Sequence, residues 1–303
     1  MPKILITGGS GMIGQHLIPK LLSKGYEINV LSRSKKDLDG CEVFVWDVDK
    51  GYVEDGALEG VDHIVHLAGY NVSEGRWTQK RRNLIYNSRI KSLRLLIDLI
   101  EGRSIKSVIS ASGSSIYGTI TSDKIFQEED ALSEAKDDFL ADVSIHWENT
   151  ANLAKSVAER VVILRTPVVL GHEGALPKLS KPIKMGIGSA LGNGKQWVPW
   201  VHLDDIANAY LFAIEKESMK GPYNVAANDH VTNLDLTKKV AEVLDKKLWA
   251  PKVPAFLLKL LFGKMANIIL KGSRLDNSKI QQTGFEFRFQ HIEPALKHLL
   301  NKS

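Results

Sequence analysis

The sequence has little cysteine and no long apolar run. Its 303 residues contain one cysteine, Cys41, which excludes an intramolecular disulfide and leaves no ligands for a multi-cysteine metal site. No stretch approaches the roughly 20 apolar residues that a membrane-spanning helix needs. The chain also starts directly with a strand-like run instead of a signal peptide. We therefore expect a cytoplasmic protein without a membrane partner.

A strong charge of one sign is missing as well. The net charge of +5 is small and spread along the chain. The densest basic stretch, residues 80–94, has no acidic residue, but its basic side chains alternate with apolar ones. This pattern is typical of a helix with one buried and one solvated face, so we expect no nucleic-acid partner.

Two kinds of catalytic site lack their usual signatures. No group of histidine, cysteine and carboxylate residues has the spacing of a metal site, and no serine lies in a nucleophile elbow. The sequence therefore predicts no metal cofactor and no activated serine nucleophile of that kind.

Short β-rich runs alternate with helical patterns along the first half of the chain. This order predicts an α/β fold, a Rossmann-type doubly wound parallel sheet with helices on both faces. The predicted strands are 3–7, 27–32, 43–46, 63–67, 107–111 and 161–165, and the predicted helices are about 12–24, 79–101 and 139–158. After residue 165 the rhythm changes, so we predict a Rossmann domain over 1–165 and a smaller C-terminal α/β substrate domain over 166–303, with segments that can interleave.

A glycine pattern between the first strand and the first helix is the strongest chemical signal. Gly8 allows a tight turn, Gly11 lets the backbone approach a pyrophosphate, and Gly14 lets helix and strand pack closely. The N-terminus of the helix adds free N–H groups and positive potential. The pattern predicts a dinucleotide-binding loop.

The end of the second strand decides between the two nicotinamide cofactors. An NAD site usually has Asp or Glu there, whereas this chain has Ser32, Arg33 and Ser34, followed by two lysines. Arg33 and the two hydroxyls suit a 2′-phosphate, so we predict NADP(H). A solvated basic loop is the alternative interpretation.

Motifs over essentially the whole chain resemble a known family. They include Thr7-Gly8 with Gly11 and Gly14, His66-Leu67-Ala68-Gly69, Gly75-Arg76-Trp77-Thr78 with Ser88-Arg89, Trp197 and Trp200-Val-His202, and Gly284-Phe285-Glu286-Phe287. The chain resembles the extended short-chain dehydrogenase/reductases, and within them the NAD-dependent epimerase/dehydratase branch whose members carry the label "epimerase family protein".

The resemblance implies positions for the cofactor. Asp47 would contact the adenine, although a turn carboxylate is the alternative there. Ala68 and Gly69 would line the adenosine side, Ala111 and Ser112 would lie near the nicotinamide, and the segment from Arg165 to Gly171 would pass the nicotinamide ribose. The full predicted cofactor set is Gly8, Gly11, Met12, Ile13, Gly14, Ser32, Arg33, Ser34, Asp47, Leu67, Ala68, Gly69, Ser88, Ala111, Ser112 and Arg165.

The catalytic pair of the wider superfamily is absent. Its members use a Tyr and a Lys four residues later, where the ammonium lowers the pKa of the phenol. Counting back from Glu148, which resembles a glutamate late in that helix, puts Leu140 and Ser144 at the two positions. The proton donor therefore stays open.

The candidate catalytic residues come from two segments. Ser112 and Tyr117 follow the fifth strand, although a tyrosine there is often a packing residue. Asp142 and His146 are four residues apart on one helix and suit an oriented imidazole, with an exposed surface pair as the alternative.

The C-terminal part has candidates for a substrate pocket. They are Arg76, Trp77, Trp197, Trp200 and His202, with Arg76 suited to an anionic group and interdomain packing as the alternative for the tryptophans. Asp204 and Asp205 are expected to cap the helix after His202. Residues 253–270 predict one amphipathic helix that buries Leu257, Leu258, Leu260, Leu261 and Phe262.

Two functional hypotheses follow. The first is an NADP(H)-dependent oxidoreductase or epimerase that acts on a small carbonyl or sugar-like molecule. The second is a regulatory protein that senses NADPH without turnover, which the missing Tyr and Lys favour. The sequence leaves the substrate unidentified and allows a monomer or a homodimer.

Overall fold

The protein is described by a computed structural model over residues 1–300. Its strands, in chain order, are β1 (Lys3–Thr7), β2 (Glu27–Ser32), β3 (Cys41–Asp47), β4 (Tyr52–Val53), β5 (Val61–His66), β6 (Ile105–Gly113), β7 (Thr121–Phe126), β8 (Ala158–Thr166), β9 (Val168–Leu170), β10 (Trp197–Val198), β11 (Trp200–His202), β12 (Gly221–Asn224), β13 (Val231–Thr232) and β14 (Gly272–Leu275). Its α-helices are α1 (Met12–Ser23), α2 (Gln79–Leu99), α3 (Phe139–Leu153), α4 (Ala175–Lys184), α5 (Leu203–Glu215), α6 (Asn233–Val243), α7 (Ala255–Phe262), α8 (Asn267–Leu270), α9 (Ser278–Gln282) and α10 (Ile292–Leu300).

The main sheet has the strand order β12-β8-β6-β5-β1-β2-β3-β4. All neighbours pair in parallel except the short β4, which runs antiparallel to β3 at one edge. The central strands are almost continuously buried because helices cover both faces of the sheet, which explains their Val, Ile and Leu content. The predicted α/β Rossmann fold and its six strands are confirmed.

The chain winds in two directions from the junction between β1 and β5. The connection through α1 leads to β2 on one side, and the connection through α2 leads from β5 to β6 on the other. Right-handed crossovers place these two helices on opposite faces of the sheet, where α1 packs against α5 and α2 packs against α3. The strand order therefore reverses beside the glycine loop, at the place where doubly wound folds bind ligands.

Two large hydrophobic cores show which segments belong to each unit of the chain. The first core includes the sheet, α1, α2, α5 and three later side chains, Ile280, Phe285 and Phe287. The second core lies between α4, α6 and α10 and contains Leu176, Val240 and Leu296 among others. The C-terminal half thus supplies β12 and α5 to the Rossmann unit and builds a smaller unit with its remaining segments.

The expected helix over 253–270 is wrong in both its extent and its burial. Gly263, with a φ of 60°, ends α7, and a short 3₁₀ turn separates it from α8. Leu258 alone among the five predicted core residues is buried, Phe262 is half-buried, and Leu257, Leu260 and Leu261 are exposed. Over residues 1–300, no helix combines the length and apolar character that crossing a membrane requires.

Candidate functional site

A cleft of about 710 Å³ opens at the carboxyl ends of the parallel strands. Its floor follows the ends of β1, β5, β6 and β8, and its outer side is formed by residues 197–199 and 268–275 of the C-terminal half. Carboxyl ends of strands at a reversal of strand order are the usual ligand site of such sheets. We describe the cleft by two walls. The glycine wall consists of Gly8, Gly11, Met12, Ile13, Gly14, Leu67 and Gly69, and the serine wall consists of Ala111, Ser112, Gly113, Ser114, Ser115, Leu140, Val143, Ser144 and Trp147.

The glycine wall depends on backbone contacts that leave no room for side chains. Gly8 has a φ of +73°, and a Cβ there would lie 2.8 Å from the carbonyl carbon of Leu67. A Cβ on Gly14 would lie 2.6 Å from the carbonyl oxygen of Gly8. The close turn therefore brings the start of α1 against the end of β1 and directs the free N–H groups of its first turn into the cleft.

The segment after β5 forms the other part of the glycine wall. The Thr7 hydroxyl accepts a hydrogen bond from the Ala68 N–H at 3.2 Å, which fixes this segment beside the glycine loop. Ala68 itself is not among the cleft-lining residues, and neither is Ser88. The Ser88 hydroxyl accepts the Tyr70 N–H at 2.8 Å and so holds the chain after Gly69.

Arg89 lines the cleft, although the sequence analysis selected its neighbour Ser88. Its guanidinium donates to the carbonyl oxygens of Tyr70 and Ile85, each at 3.0 Å, and lies over the Trp147 ring. Burial lowers the pKa of Arg89 to about 10. A Cβ at Gly69 would lie 2.9 Å from the guanidinium carbon, so the glycine admits this arginine. The Ser88-Arg89 motif marks this part of α2 in the sequence, but the sequence alone does not tell which of the two side chains faces the cleft.

Four residues predicted to contact the 2′-phosphate or the adenine lie beyond the main cleft. Ser32, Arg33, Ser34 and Asp47 are not among its lining residues. Arg33 is exposed, and no other residue within 1–300 pairs with it. The Nζ of Lys36 lies 3.5 Å from the Ser10 hydroxyl and brings a second cation to the glycine loop.

Asp47 has a local structural role. Its Oδ1 accepts the N–H groups of Asp49 and Lys50 at 3.1 and 3.2 Å, and its Oδ2 lies 3.1 Å from the Lys50 ammonium. Hydrogen bonds from the Lys50 side chain and backbone lower the pKa of this carboxyl. Asp47 is thus the turn carboxylate that the alternative interpretation described.

Three serine hydroxyls meet at the serine wall. Ser112 donates to Glu148 Oε1 at 2.7 Å, while the Ser115 and Ser144 oxygens lie 2.7 Å apart. Two hydroxyls that share one hydrogen bond keep one further proton to donate. Ser115 was not selected from the sequence, while Ser144 and Leu140 stand where counting from Glu148 put the positions of the missing pair, and both line the cleft.

Tyr117 and Arg165 do not line the cleft, and their predicted roles at the site stay predictions. Arg165 forms a bidentate ion pair with Glu148, with both N–O distances at 2.8 Å, and also donates to the Tyr117 hydroxyl. Tyr117 donates in turn to Asn224 at 2.6 Å, and its side chain is 1% exposed. Burial raises the pKa of Tyr117, and the paired Glu148 outweighs burial to raise the pKa of Arg165. Both residues belong to a buried network that supports the serine wall through Glu148.

Asp142 and His146 share one face of α3, as their spacing predicts, but this face points away from the cleft. The His146 Nδ1 lies 3.4 Å from Asp142 Oδ1 and donates to the Asp142 carbonyl oxygen at 2.9 Å. The imidazole packs against the Tyr86 ring and is about half exposed. Neither residue lines the cleft, and their catalytic role stays a prediction.

Of the five predicted pocket residues, Trp197 alone lines the cleft. Its ring lies under the Arg274 guanidinium at 4.8 Å. Arg76 is exposed and donates instead to the carbonyl oxygens of Leu260 and Leu261, so it caps the C-terminus of α7. Trp77 donates to the Val72 carbonyl oxygen at 2.9 Å and packs on Phe139.

Trp200 and His202 are each 1% exposed, which excludes them from the cleft surface. Trp200 packs in the second core and donates to the Asp229 carbonyl oxygen at 2.9 Å. His202, not the two aspartates, is the N-cap of α5, because its Nδ1 accepts the Asp204 N–H at 2.9 Å. Asp205 instead accepts the backbone N–H groups of Arg288 and Phe289. The core alternative therefore describes Trp200 correctly.

One histidine and carboxylate group that the sequence spacing did not reveal is present in the fold. Candidate ligand atoms of His202, Asp204 and His298 lie within 4.8 Å of one another. Both ring nitrogens of His202 are engaged, Nδ1 by the helix N–H and Nε2 by His298 at 3.1 Å. Burial lowers the pKa of His202 to about 3, so the neutral ring serves helix capping and packing here.

Comparison with known proteins agrees with the fold. Residues 4–226 match the model of the NAD dependent epimerase/dehydratase family, and residues 253–299 match a domain of unknown function, DUF1731. The chain is 34% identical over 300 residues to the epimerase family protein YfhF of Bacillus subtilis, covering 98% of this chain and 97% of that protein.

Two solved structures extend the comparison. Human epimerase family protein SDR39U1 (isoform 2), solved with NADPH, is 26% identical, with a TM-score of 0.89 and coverage of 99% of this chain and 100% of that one. UDP-glucuronic acid 4-epimerase from Bacillus cereus, solved with UDP-glucuronic acid and NAD, has a TM-score of 0.81 at 18% identity over 99% of this chain and 98% of that one, which shows the shared fold alone.

Proposed function

Because the chain belongs to the NAD dependent epimerase/dehydratase family, we propose that it is an NADP(H)-dependent oxidoreductase or epimerase acting on a small carbonyl or sugar-like substrate. The observation that carries the proposal is the single cleft that joins the glycine wall to the serine wall. At Gly8 and Gly14 the glycine wall packs backbone against backbone, where added Cβ atoms would lie within 3 Å of backbone atoms, and this tight turn at the start of α1 fits a bound pyrophosphate.

NADP(H) is proposed over NAD(H) from the charges around the glycine loop. The end of β2 offers Arg33 and no carboxylate, and Lys36 reaches Ser10 within the loop. Lys35, by contrast, is bound to Glu54 at 2.7 Å and to the Val43 carbonyl oxygen. Arg33 and Lys36 thus remain for the 2′-phosphate that distinguishes NADP from NAD. The NADPH in the human relative's structure gives further support.

The serine wall would orient the substrate carbonyl and relay a proton to it, with water in the open cleft replacing the proton that the hydroxyl gives up; the missing Tyr and Lys have these roles elsewhere. NADPH, when bound, supplies a hydride for a substrate carbonyl. One of the Ser115 and Ser144 hydroxyls donates to the other. The second hydroxyl therefore keeps its proton and can donate it in a hydrogen bond to the carbonyl oxygen. Ser112 has committed its proton to Glu148, so it is the weaker donor of the three.

The substrate is proposed to be small because the cleft must hold both molecules. A site of about 710 Å³ is within the ordinary range for one cofactor or ligand. Outside the two walls the lining is mostly apolar, with Val168, Trp197 and Ile269 among its residues, and its charged side chains are Arg89, Glu173 and Lys271. This lining suits a carbonyl compound with a compact apolar body and few charges.

The test is an NADPH oxidation assay with a panel of aldehydes, ketones and sugar-like carbonyl compounds. We expect turnover with at least one class, and we expect Ser144→Ala to lower kcat by about 100-fold, within the range of a lost proton-transfer group. Ser23→Ala, which removes an exposed helix hydroxyl outside the cleft, is the control. Turnover that is unchanged in Ser144→Ala and Ser115→Ala would contradict the proposed proton donor.

A regulatory NADPH-binding protein is the second candidate. Leu140 favours it, because leucine lines the cleft where relatives with the usual pair have a proton-transferring tyrosine. Tight NADPH binding without oxidation by any compound in the panel, together with a change in proteolytic sensitivity on binding, would favour this candidate over the enzyme.

A further inference from the structure

The C-terminal half exposes an unusual number of large apolar side chains on and around α7. Phe256, Leu260 and Leu261 are 68%, 67% and 62% exposed, and Leu257 is 39% exposed. Within this eight-residue helix only Leu258 is buried. A water-facing helix normally shows polar side chains, so an exposed apolar face of this kind marks a surface that another phase or molecule covers.

The exposed apolar surface continues beyond α7. Trp249, Met185 and Ile187 are 72%, 65% and 57% exposed. The segments that carry them lie side by side, since the Val253 N–H donates to the Ala190 carbonyl oxygen at 2.9 Å. The Ser189 hydroxyl also donates to the Pro251 carbonyl oxygen at 2.6 Å. We call this surface the apolar patch; it consists of Met185, Ile187, Trp249, Phe256, Leu257, Leu260 and Leu261.

The segment that carries most of the apolar patch is rich in basic residues and contains no acidic ones. Residues 246–274 contain six lysines and one arginine and no Asp or Glu, whereas the whole chain has a net charge of only +5. This segment therefore carries more positive charge than the chain as a whole, and the remainder is slightly negative. The six lysines are all exposed, and among residues 1–300 no carboxylate forms an ion pair with any of them. They are Lys246, Lys247, Lys252, Lys259, Lys264 and Lys271.

Exposed apolar side chains in a segment rich in exposed lysines are the composition of protein surfaces that lie on anionic bilayers. The apolar groups enter the boundary between headgroups and acyl chains, and each lysine adds attraction to acidic lipids. We propose that the apolar patch and its lysines form a peripheral binding surface for an anionic phospholipid bilayer. A water-soluble acidic partner would match the lysines but would leave the exposed Leu and Phe side chains without an apolar environment.

The neighbouring structure keeps α7 in position for such contact. Arg76 holds the C-terminal end of the helix by donating to the carbonyl oxygens of Leu260 and Leu261. Buried Leu258 and Met265 anchor the helix and the following turn in the protein. The apolar patch is thus presented by a fixed element, and only its side chains need to enter the lipid.

The test is sedimentation of the full-length protein with phosphatidylcholine vesicles, with and without phosphatidylglycerol. We expect binding to the vesicles that contain phosphatidylglycerol and weaker binding as salt screens the lysines. The double variant Leu260→Ser with Leu261→Ser should lower vesicle affinity at least about tenfold, since each leucine contributes apolar area. Lys259→Glu with Lys264→Glu should lower binding to the acidic vesicles alone.

Matched variants and a position-specific signal complete the experiment. Leu84→Ser with Ile125→Ser removes exposed apolar residues elsewhere, and Lys80→Glu with Lys136→Glu reverses exposed lysines elsewhere. Both pairs should bind vesicles like the unchanged protein. Trp249 is the most exposed tryptophan, so its fluorescence should shift to shorter wavelength on binding, and Trp249→Phe should abolish that shift.

Three outcomes would overturn the proposal. No sedimentation with acidic vesicles would exclude the bilayer as the occupant. Equal loss of binding in the control variants would make the attraction nonspecific. A dimer in solution that Leu260→Ser with Leu261→Ser dissociates, without vesicle binding, would assign the apolar patch to a second copy of the chain.

Discussion

The two walls of the cleft are built by different means. The glycine wall is defined by backbone approach, because added Cβ atoms at Gly8 and Gly14 would meet backbone atoms within 3 Å. The serine wall is defined by side chains, because Ser112 depends on Glu148, and Glu148 depends on Arg165. The loop from Gly8 to Gly14 at the centre of the glycine wall is one short sequence segment, whereas the side-chain contacts of the serine wall join residues up to about 50 positions apart. A mutation at each wall should therefore act on a different property, binding at the first and stability or turnover at the second.

The largest effect is expected from breaking the ion pair behind the serine wall. Glu148→Ala leaves the Arg165 guanidinium buried without its bidentate partner. An uncompensated buried charge costs about 3–5 kcal/mol of unfolding free energy. Chemical denaturation measures the loss.

Two variants control this experiment. Glu242→Ala removes the exposed ion pair between Glu242 and Lys239 and should change the free energy of unfolding by less than about 1 kcal/mol. Adding Arg165→Met to Glu148→Ala should recover part of the loss, because it removes the unpaired charge. A loss below about 1 kcal/mol in Glu148→Ala would show that the serine wall does not depend on this pair.

The next effect concerns the glycine wall. Gly14→Ala places a Cβ 2.6 Å from the Gly8 carbonyl oxygen, so the loop must move away from the position that suits a pyrophosphate. We expect NADPH affinity to fall about 100-fold, equivalent to about 2.7 kcal/mol. Titration with NADPH, followed by cofactor fluorescence, measures this change.

Gly25→Ala separates binding from backbone strain. Gly25 also has a positive φ, 83°, but nothing lies within 4 Å of its Cβ position. The variant should lose some stability and keep its NADPH affinity. If both glycine variants weaken binding equally, the loss reflects general strain and not the glycine wall.

A smaller effect should distinguish the serines from one another. Ser112→Ala removes one hydrogen bond to the Glu148 carboxylate, which is worth about 1.5 kcal/mol or somewhat more for a charged acceptor. Because its proton is committed to Glu148, we expect turnover to fall less than in Ser144→Ala. Paired denaturation and rate measurements on the two variants test this order, and a larger loss of kcat in Ser112→Ala would reverse the roles of the serines.

The last effect is a pH dependence, which buried His66 adds beside the glycine wall. Burial, followed by the nearby Arg89 charge, lowers the pKa of His66 to about 3. In the unfolded chain His66 takes up a proton near pH 6.5, whereas in the folded chain it stays neutral until about pH 3. The free energy of unfolding therefore falls as the pH drops from about 6.5 toward 3. This histidine contributes at most about 1.4 kcal/mol per pH unit to the slope.

Thermal or chemical unfolding at several pH values measures that slope. His66→Gln should make it shallower by that amount at most, while exposed His146→Gln should leave it unchanged. An unchanged slope in His66→Gln would mean that other groups determine the acid sensitivity.

The sequence predicted the backbone-defined features better than the features that depend on side-chain direction. The strands, the glycine loop and the strand-order reversal follow from local residue patterns, so their places were readable. Arg165, Tyr117, Trp200 and His202 were predicted to lie at the site, but they are buried and none of them lines the cleft. The direction of a side chain depends on partners far away in the chain, such as Asn224 for Tyr117.

In the C-terminal half, side chains that the sequence predicts to be buried are exposed. The leucines of α7 have the composition of core residues, and periodicity predicts that they are buried. In the fold, Gly263 ends the helix and only Leu258 reaches the protein interior. The sequence therefore shows that these side chains are apolar, but it does not show whether the protein interior covers them.

The most direct test of the central claim, that the cleft is an NADP(H) site, is a fluorescence titration with NADPH and separately with NADH. The account predicts tighter binding of NADPH and the loss or reversal of that preference in Arg33→Asp, because a carboxylate repels the 2′-phosphate. Lys80→Asp, an equal charge change on α2, should keep the preference. Binding of neither nucleotide would contradict the account, and equal binding of both, unchanged in Arg33→Asp, would contradict its choice of NADP(H).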